Sequence, residues 1–207
     1  IVRWKNGQWL ERGVAYEQGL RWQDRPLQDL SLVTHIDSSQ LAGDYITEVC
    51  PAAQGLIASL AAMLQQGLIL QIDYGFAARE YYPPQRSQGT LMCHFPHHAP
   101  DDPFFNPGLQ DITAHVDFTA IAETALAHGL DCAGYTSQAQ FLMNCGILQM
   151  LETVSPEDSA KYLPIVAAVQ KLLSPAEMGE LFKVLALSKG LDLPLQGFLQ
   201  GDKRHQL

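Results

Sequence analysis

The sequence predicts an α/β fold, a doubly wound and mostly parallel sheet, with a small antiparallel meander added at its start. Three observations carry this. A helical stretch beginning at Pro51 leads directly into the apolar run Leu68-Ile69-Leu70-Gln71-Ile72; the same order of helix then strand returns between Asp117 and Ser137; and Asn6-Gly7 joins two β-rich runs near the start. At 207 residues the chain has the length of one ordinary domain and can bury a core.

Ile1 to Lys5 and Gln8 to Tyr16 are β-rich, and Asn6-Gly7 suits the two positive φ angles of a type I′ turn. A second turn at Gln18-Gly19 leads into Leu20 to Gln23, which completes the meander; Trp4, Trp9 and Trp22 are expected to share one packed face. Residues 1–30 are set apart as an inserted meander, and the polar stretch from Gln23 to Gln40 reads as a connector.

From Pro51, the residues Ala52, Leu56, Ile57, Leu60, Ala61 and Leu64 recur at helical spacing up to Gly67. The run that follows, ended by Asp73-Tyr74-Gly75, predicts a strand buried on both faces and therefore a parallel crossover unit. Phe76 to Asp111 holds half of the chain's prolines and has no period, so a long functional loop is expected. Asp117 is a candidate N-cap for a helix that stops at Gly129, followed by a strand from Leu130 to Ser137 and a short helix from Gln138 to Cys145. Ser155-Pro156-Glu157 and Ser174-Pro175-Ala176-Glu177 carry start signals for two further helices, a helical insertion, and Phe182 to Leu187 fits a last strand.

With 13 basic and 22 acidic residues the net charge is −9, so nucleic acid is excluded as a main partner and a cationic one is favoured. A 47% hydrophobic and 17% charged composition excludes disorder. The longest uncharged stretch, Val49 to Ile72, is broken by Pro51, Gln54, Gly55, Gln65, Gln66 and Gly67, so no membrane insertion is expected. Neither is a signal peptide. Cys50, Cys93, Cys132 and Cys145 lie far apart, which suits a reducing, cytoplasmic compartment. The chain begins at Ile1 inside a strand, and a piece of a longer protein is expected.

Asp73-Tyr74-Gly75 ends the strand where open α/β sheets bind their ligands, which makes Asp73 a functional candidate; anchoring of the following turn is the other reading. His94, His97, His98, Asp101 and Asp102 are ligand types for zinc or iron, but their spacing matches no metal signature, and a hydrogen-bonded polar loop is preferred. In an extended segment Asp111, Thr113, His115 and Asp117 would alternate onto one face as a polar stripe that binds a cation or orients a base, with helix capping as the other role for Asp117. No G-x-S-x-G, Walker or G-x-G-x-x-G motif is present.

Several blocks occur in series: E-V-C-P at Glu48 to Pro51, D-Y-G at Asp73 to Gly75, R-S-Q-G-T-L at Arg86 to Leu91, D-P at Asp102-Pro103 and P-G-L-Q-D-I-T-A-H-V-D-F at Pro107 to Phe118. Q-A-Q-F-L at Gln138 to Leu142 and M-G-E-L-F-K-V-L-A-L at Met178 to Leu187 continue it. The series resembles the MidA family of S-adenosylmethionine-dependent methyltransferases. The resemblance implies a class I methyltransferase (Rossmann-like) fold, of which residues 31–207 would be the C-terminal half, with the fifth to seventh strands of its sheet. It implies S-adenosylmethionine as cofactor and a protein substrate, methylated on an arginine of a respiratory complex I subunit in the mitochondrial members. The family's glycine-rich cofactor loop would lie ahead of the meander, so the cofactor site is expected to be incomplete on this chain and its residues are unknown. Pro100 stands where many members carry His.

A guanidinium has five donors and no acceptor, so its methylation calls for carboxylates that hold the cation and a group that takes a proton. Asp73, Asp111 and His115 are the expected catalytic residues, and Tyr74, Arg86, His97, Thr113 and Asp117 are expected to bind substrate. The rival reading is a non-catalytic assembly module that binds a partner protein, and a metal-dependent hydrolase built on the His cluster is a third. Exposed sheet edges predict self-association as a homo-oligomer.

Overall fold

The computed structural model describes residues 1–94 and 102–207. In chain order the elements are β1 (Val2–Lys5), β2 (Gln8–Tyr16), β3 (Leu20–Pro26), β4 (Tyr45–Thr47), α1 (Pro51–Met63), β5 (Gly67–Phe76), α2 (Ala78–Tyr81), β6 (Met92–His94) and β7 (Asp111–Thr113). Then come β8 (Val116–Asp117), α3 (Phe118–Ala127), β9 (Asp131–Ser137), α4 (Gln138–Asn144), α5 (Ile147–Glu152), α6 (Ser159–Leu173) and β10 (Phe182–Lys189). They gather into two compact units, Ile1–Ala52 with Arg79–His115 and Ala53–Ala78 with Val116–Leu207.

In the first unit the meander forms as expected and takes β4 as a fourth strand, in the order β3-β2-β1-β4. Asn6 and Gly7 take φ of 51° and 79°, the pair of positive values a type I′ turn needs. Trp4 stands opposite Trp9 with ring centroids 5.4 Å apart. Trp22 does not join them. It is paired with Val14, five residues from Trp9 on β2, and side chains alternate along a strand, so it faces the other side and meets Phe104 at 4.9 Å. Val2, Val33 and Ile36 form this unit's core, with Trp9 and Tyr82 packed against it. The expected long loop contains α2 and β6, and β6 pairs antiparallel with β7, which sets His94 opposite Asp111.

In the second unit a four-stranded sheet has the order β8-β5-β10-β9. β10 is antiparallel to both β5 and β9, so those two run in one direction, and the directly parallel pair is β5 with β8. One face is covered by α1 and α3, where Ile57, Phe118, Ile121, Leu185 and Leu187 are buried together. The other face carries Val184 and Ala186 against Phe141 of α4 and Phe198. Gly75 explains the last letter of Asp-Tyr-Gly: a Cβ there would lie 2.3 Å from the Val116 carbonyl oxygen, so only glycine lets β8 pair so closely.

Three local expectations need correction. β5 is buried on one face only, since Leu68, Leu70 and Ile72 remain 40%, 42% and 49% exposed; an apolar run signals burial but does not say what covers it. The Ser155 signal closes a single turn, in which Ser155 Oγ accepts from Glu157 N–H at 3.3 Å, and α6 starts later with Asp158 as its N-cap residue. The Ser174 signal also yields turns and no helix, with Glu177 and Gly179 N–H both donating to the Ser174 carbonyl. The chain enters β10 at Phe182, which leaves too few residues to propagate a helix.

Candidate functional site

In the first unit, a buried carboxylate organises the polar residues. Glu48, just after β4, is 8% exposed. Its Oε2 accepts from Thr90 N–H at 2.9 Å and from Thr90 Oγ1–H at 2.9 Å, and lies 3.4 Å from the Tyr81 hydroxyl. The Tyr81 hydroxyl donates to the His115 carbonyl at 2.9 Å, and His115 N–H donates to Thr90 Oγ1 at 3.0 Å. Thr90 thus donates to Glu48 while accepting from His115. This network pins the backbone of His115 from both sides, and the imidazole is half-buried. Glu48 Oε1 is also buried, and it has no hydrogen-bond partner among the described residues.

Glu48 lines a cavity of about 400 Å³ together with Arg12, Trp22, Ile46, Gln88 and Leu91. Arg12 is committed elsewhere: its Nε and a terminal nitrogen donate to Asp24 at 2.7 and 2.9 Å, and its guanidinium carbon lies 5.8 Å from the Trp22 ring centroid. Asp24 also accepts from Arg3, which is bridged in turn to Asp44. Arg12 first, then Arg3, hold the Asp24 carboxyl down to about 2 against the desolvation that opposes them.

The expected site residues fall in both units. Asp111, Thr113, His115 and Arg86 belong to the first. Thr113 Oγ1 donates to Asp111 Oδ2 at 2.8 Å, so these two do share a face. β7 ends at Thr113 and β8 starts at Val116, so the alternation does not run unbroken through His115 to Asp117. Arg86 is half-buried in the turn that leads to Gly89 and Thr90. His97, with His98, Pro100 and Asp101, lies outside the described residues. Asp73, Tyr74 and Asp117 belong to the second unit. Asp73 is exposed at the end of β5, its Oδ1 accepting from Tyr74 N–H at 2.8 Å, and the Tyr74 ring stacks 4.1 Å from that of Phe182. Asp117 caps α3, accepting from Thr119 and Ala120 N–H at 3.0 and 3.1 Å.

Glu48 received no role from the sequence, although it opens the E-V-C-P block. Its signal was faint: a single Glu bordering a long uncharged stretch. The residues that bury it lie 33 and 42 positions away. Within the first unit, Glu48 and Asp111 offer carboxylates, Thr90 and Thr113 hydroxyls and His115 an imidazole, groups whose chemistry is to pair with a cation or accept a proton. The described residues offer no glycine-rich strand-to-helix turn of the kind that seats a cofactor's anionic group.

The family described as "Putative S-adenosyl-L-methionine-dependent methyltransferase" matches residues 1–136. The mitochondrial protein arginine methyltransferase NDUFAF7 of Danio rerio is 26% identical over 168 residues, covering 74% of this chain and 38% of that protein. Its Mus musculus counterpart is 32% identical over 145 residues, covering 68% and 31%. A Burkholderia thailandensis protein whose crystal structure holds S-adenosyl-homocysteine is 47% identical, with a TM-score of 0.93, and covers all of this chain and 54% of that one. The chain therefore spans no more than 38% of these curated relatives and about half of that solved chain.

Proposed function

We propose, because the chain belongs to the family of S-adenosyl-L-methionine-dependent methyltransferases, that it supplies the substrate side of a methyltransferase acting on an arginine side chain of a protein. The observation that carries this reading is the likeness along the whole chain, at 47% identity, to a protein that binds S-adenosyl-homocysteine, the product left when S-adenosylmethionine gives up its methyl group. The choice of arginine rests on the relatives named protein arginine methyltransferases. A respiratory complex I subunit or its bacterial equivalent is the acceptor protein, and the compartment is reducing: bacterial cytoplasm, or the mitochondrion as for those relatives. No helix among the described residues is long and apolar enough to cross a membrane.

S-adenosylmethionine supplies an electrophilic methyl group when bound; no residue described here is assigned to holding it. The acceptor guanidinium presents five N–H donors and calls for charge-assisted acceptors, a role for which Asp111 in the first unit and Asp73 in the second are the candidates. As the new N–C bond forms, the attacked nitrogen sheds a proton, which His115 or one of those carboxylates takes. Arg86 and Thr113 in the first unit, and Tyr74 and Asp117 in the second, are the further residues this reading assigns to substrate binding. Hydrogen bonds to its carbonyl and from its N–H fix the His115 backbone from which the imidazole projects.

The test is methyl transfer to arginine peptides by the full-length protein that contains this chain, read by mass spectrometry, with Asp111→Ala and His115→Ala. Removing a positioned acid or base is expected to slow turnover about 100-fold or more in each. Wild-type turnover in both variants would sink the site assignment. Absence of arginine methylation by the unaltered protein would replace this reading with the assembly module.

A further inference from the structure

The geometry points to Glu48 as the residue that selects a cationic side chain, holding the substrate's guanidinium through Oε1 in the cavity of the first unit; this rests on arginine being the acceptor. Both Thr90 donors and the Tyr81 contact fall on Oε2, whereas Oε1 is buried with no partner among the described residues. A buried carboxylate oxygen left without a donor is costly, and a ligand N–H is what would satisfy it.

The surroundings suit a cation and the stem that carries it. Arg12 and Glu48 are the charged residues among those described as lining the cavity, and the Arg12 charge is already matched by Asp24. None of the described ion pairs involves Glu48. Glu48 thus brings to the cavity a carboxyl group outside the described ion pairs, beside Trp22, Ile46 and Leu91, against which an aliphatic stem can lie. The seat itself is built for the carboxylate: Gly89 has φ +73°, and a Cβ there would fall 2.3 Å from Oε1.

Two probes that differ in charge and little in shape test this on the full-length protein without cofactor: Nα-acetyl-arginine methylamide and its citrulline analogue, followed by titration NMR. The arginine probe is expected to bind at least tenfold tighter. Glu48→Gln, which keeps an acceptor for Thr90, is expected to abolish that preference and to raise KM for an arginine peptide at least tenfold more than it lowers kcat. Equal binding of the two probes to the unaltered protein overturns the proposal, and this arm stands even if the variant fails to fold. An unchanged preference or KM in a folded Glu48→Gln variant overturns it as well. Charge-selective binding without any arginine methylation would instead leave Glu48 as a cation site and remove the methyltransferase reading.

Discussion

Asp24 shows how a single carboxylate governs the charge of one face of the meander. It accepts from both Arg3 and Arg12, and the two guanidiniums hold its carboxyl at about 2 in place of 3.8. A depressed acid stabilises the folded state above the unfolded value and loses that contribution as pH falls from 3.8 to about 2. The site is partly solvated, so the contribution is on the order of 1–2 kcal/mol rather than the full value of the shift. Asp24→Asn is expected to lose that amount near neutrality and to flatten the stability curve across this acid window, measured by urea denaturation at stepped pH. At the same scale Cys132 differs from the exposed Cys50 and Cys145, since burial pushes its thiol up. None of this is legible from spacing alone, because Arg3 reaches Asp24 across 21 residues and the contact depends on strand register.

At the scale of elements, α3 follows local rules closely. Asp117 caps it with two hydrogen bonds, and Gly129, at φ +76°, follows its end. Asp117→Ala is expected to cost about 0.5–2 kcal/mol, and Asp117→Asn, which retains a capping oxygen, to stay within about 0.5 kcal/mol of wild type, both by thermal melting. A loss of methyl transfer in a fully stable Asp117→Asn would then report substrate binding and not helix stability. The two Ser-Pro signals at 155 and 174 mislead for a physical reason. A capping sequence nucleates one turn wherever it occurs, but a helix needs room and a surface to propagate along. β5 is the converse case, found at its expected place yet covered on one face only.

For the whole molecule, the exposed side of β5 has the largest consequence. Leu68, Leu70 and Ile72 line one face at 40–49% exposure, and among the described residues that edge of β5 is paired by β8 at Gly75 and Phe76 alone. An apolar stripe beside a largely unpaired strand edge favours association. The 207-residue chain by itself is expected to bind a hydrophobic dye and to sediment as species larger than a monomer, and Leu70→Lys with Ile72→Lys to reduce both. Dye binding and sedimentation unchanged by those substitutions would assign the association to another surface.

The sequence by itself determined what depends on neighbours in the chain. The Asn-Gly hairpin, the cap and stop of α3, the strands expected at 130–137 and 182–187 and found at 131–137 and 182–189, and the α/β class all follow from turn chemistry and periodicity, which act over a few residues. Among the proposed site residues, the pairing of Thr113 with Asp111 is of this kind, being two positions apart. Only the tertiary structure decided which face of the meander takes Trp22, which side of β5 is buried and that β10 runs antiparallel between its neighbours. It alone brought Thr90 and Tyr81 to one oxygen of Glu48 and left the other without a donor among the described residues. Such contacts join residues dozens of positions apart, and no local preference encodes them: they exist only once strand register and burial have been settled by the packing of the whole unit.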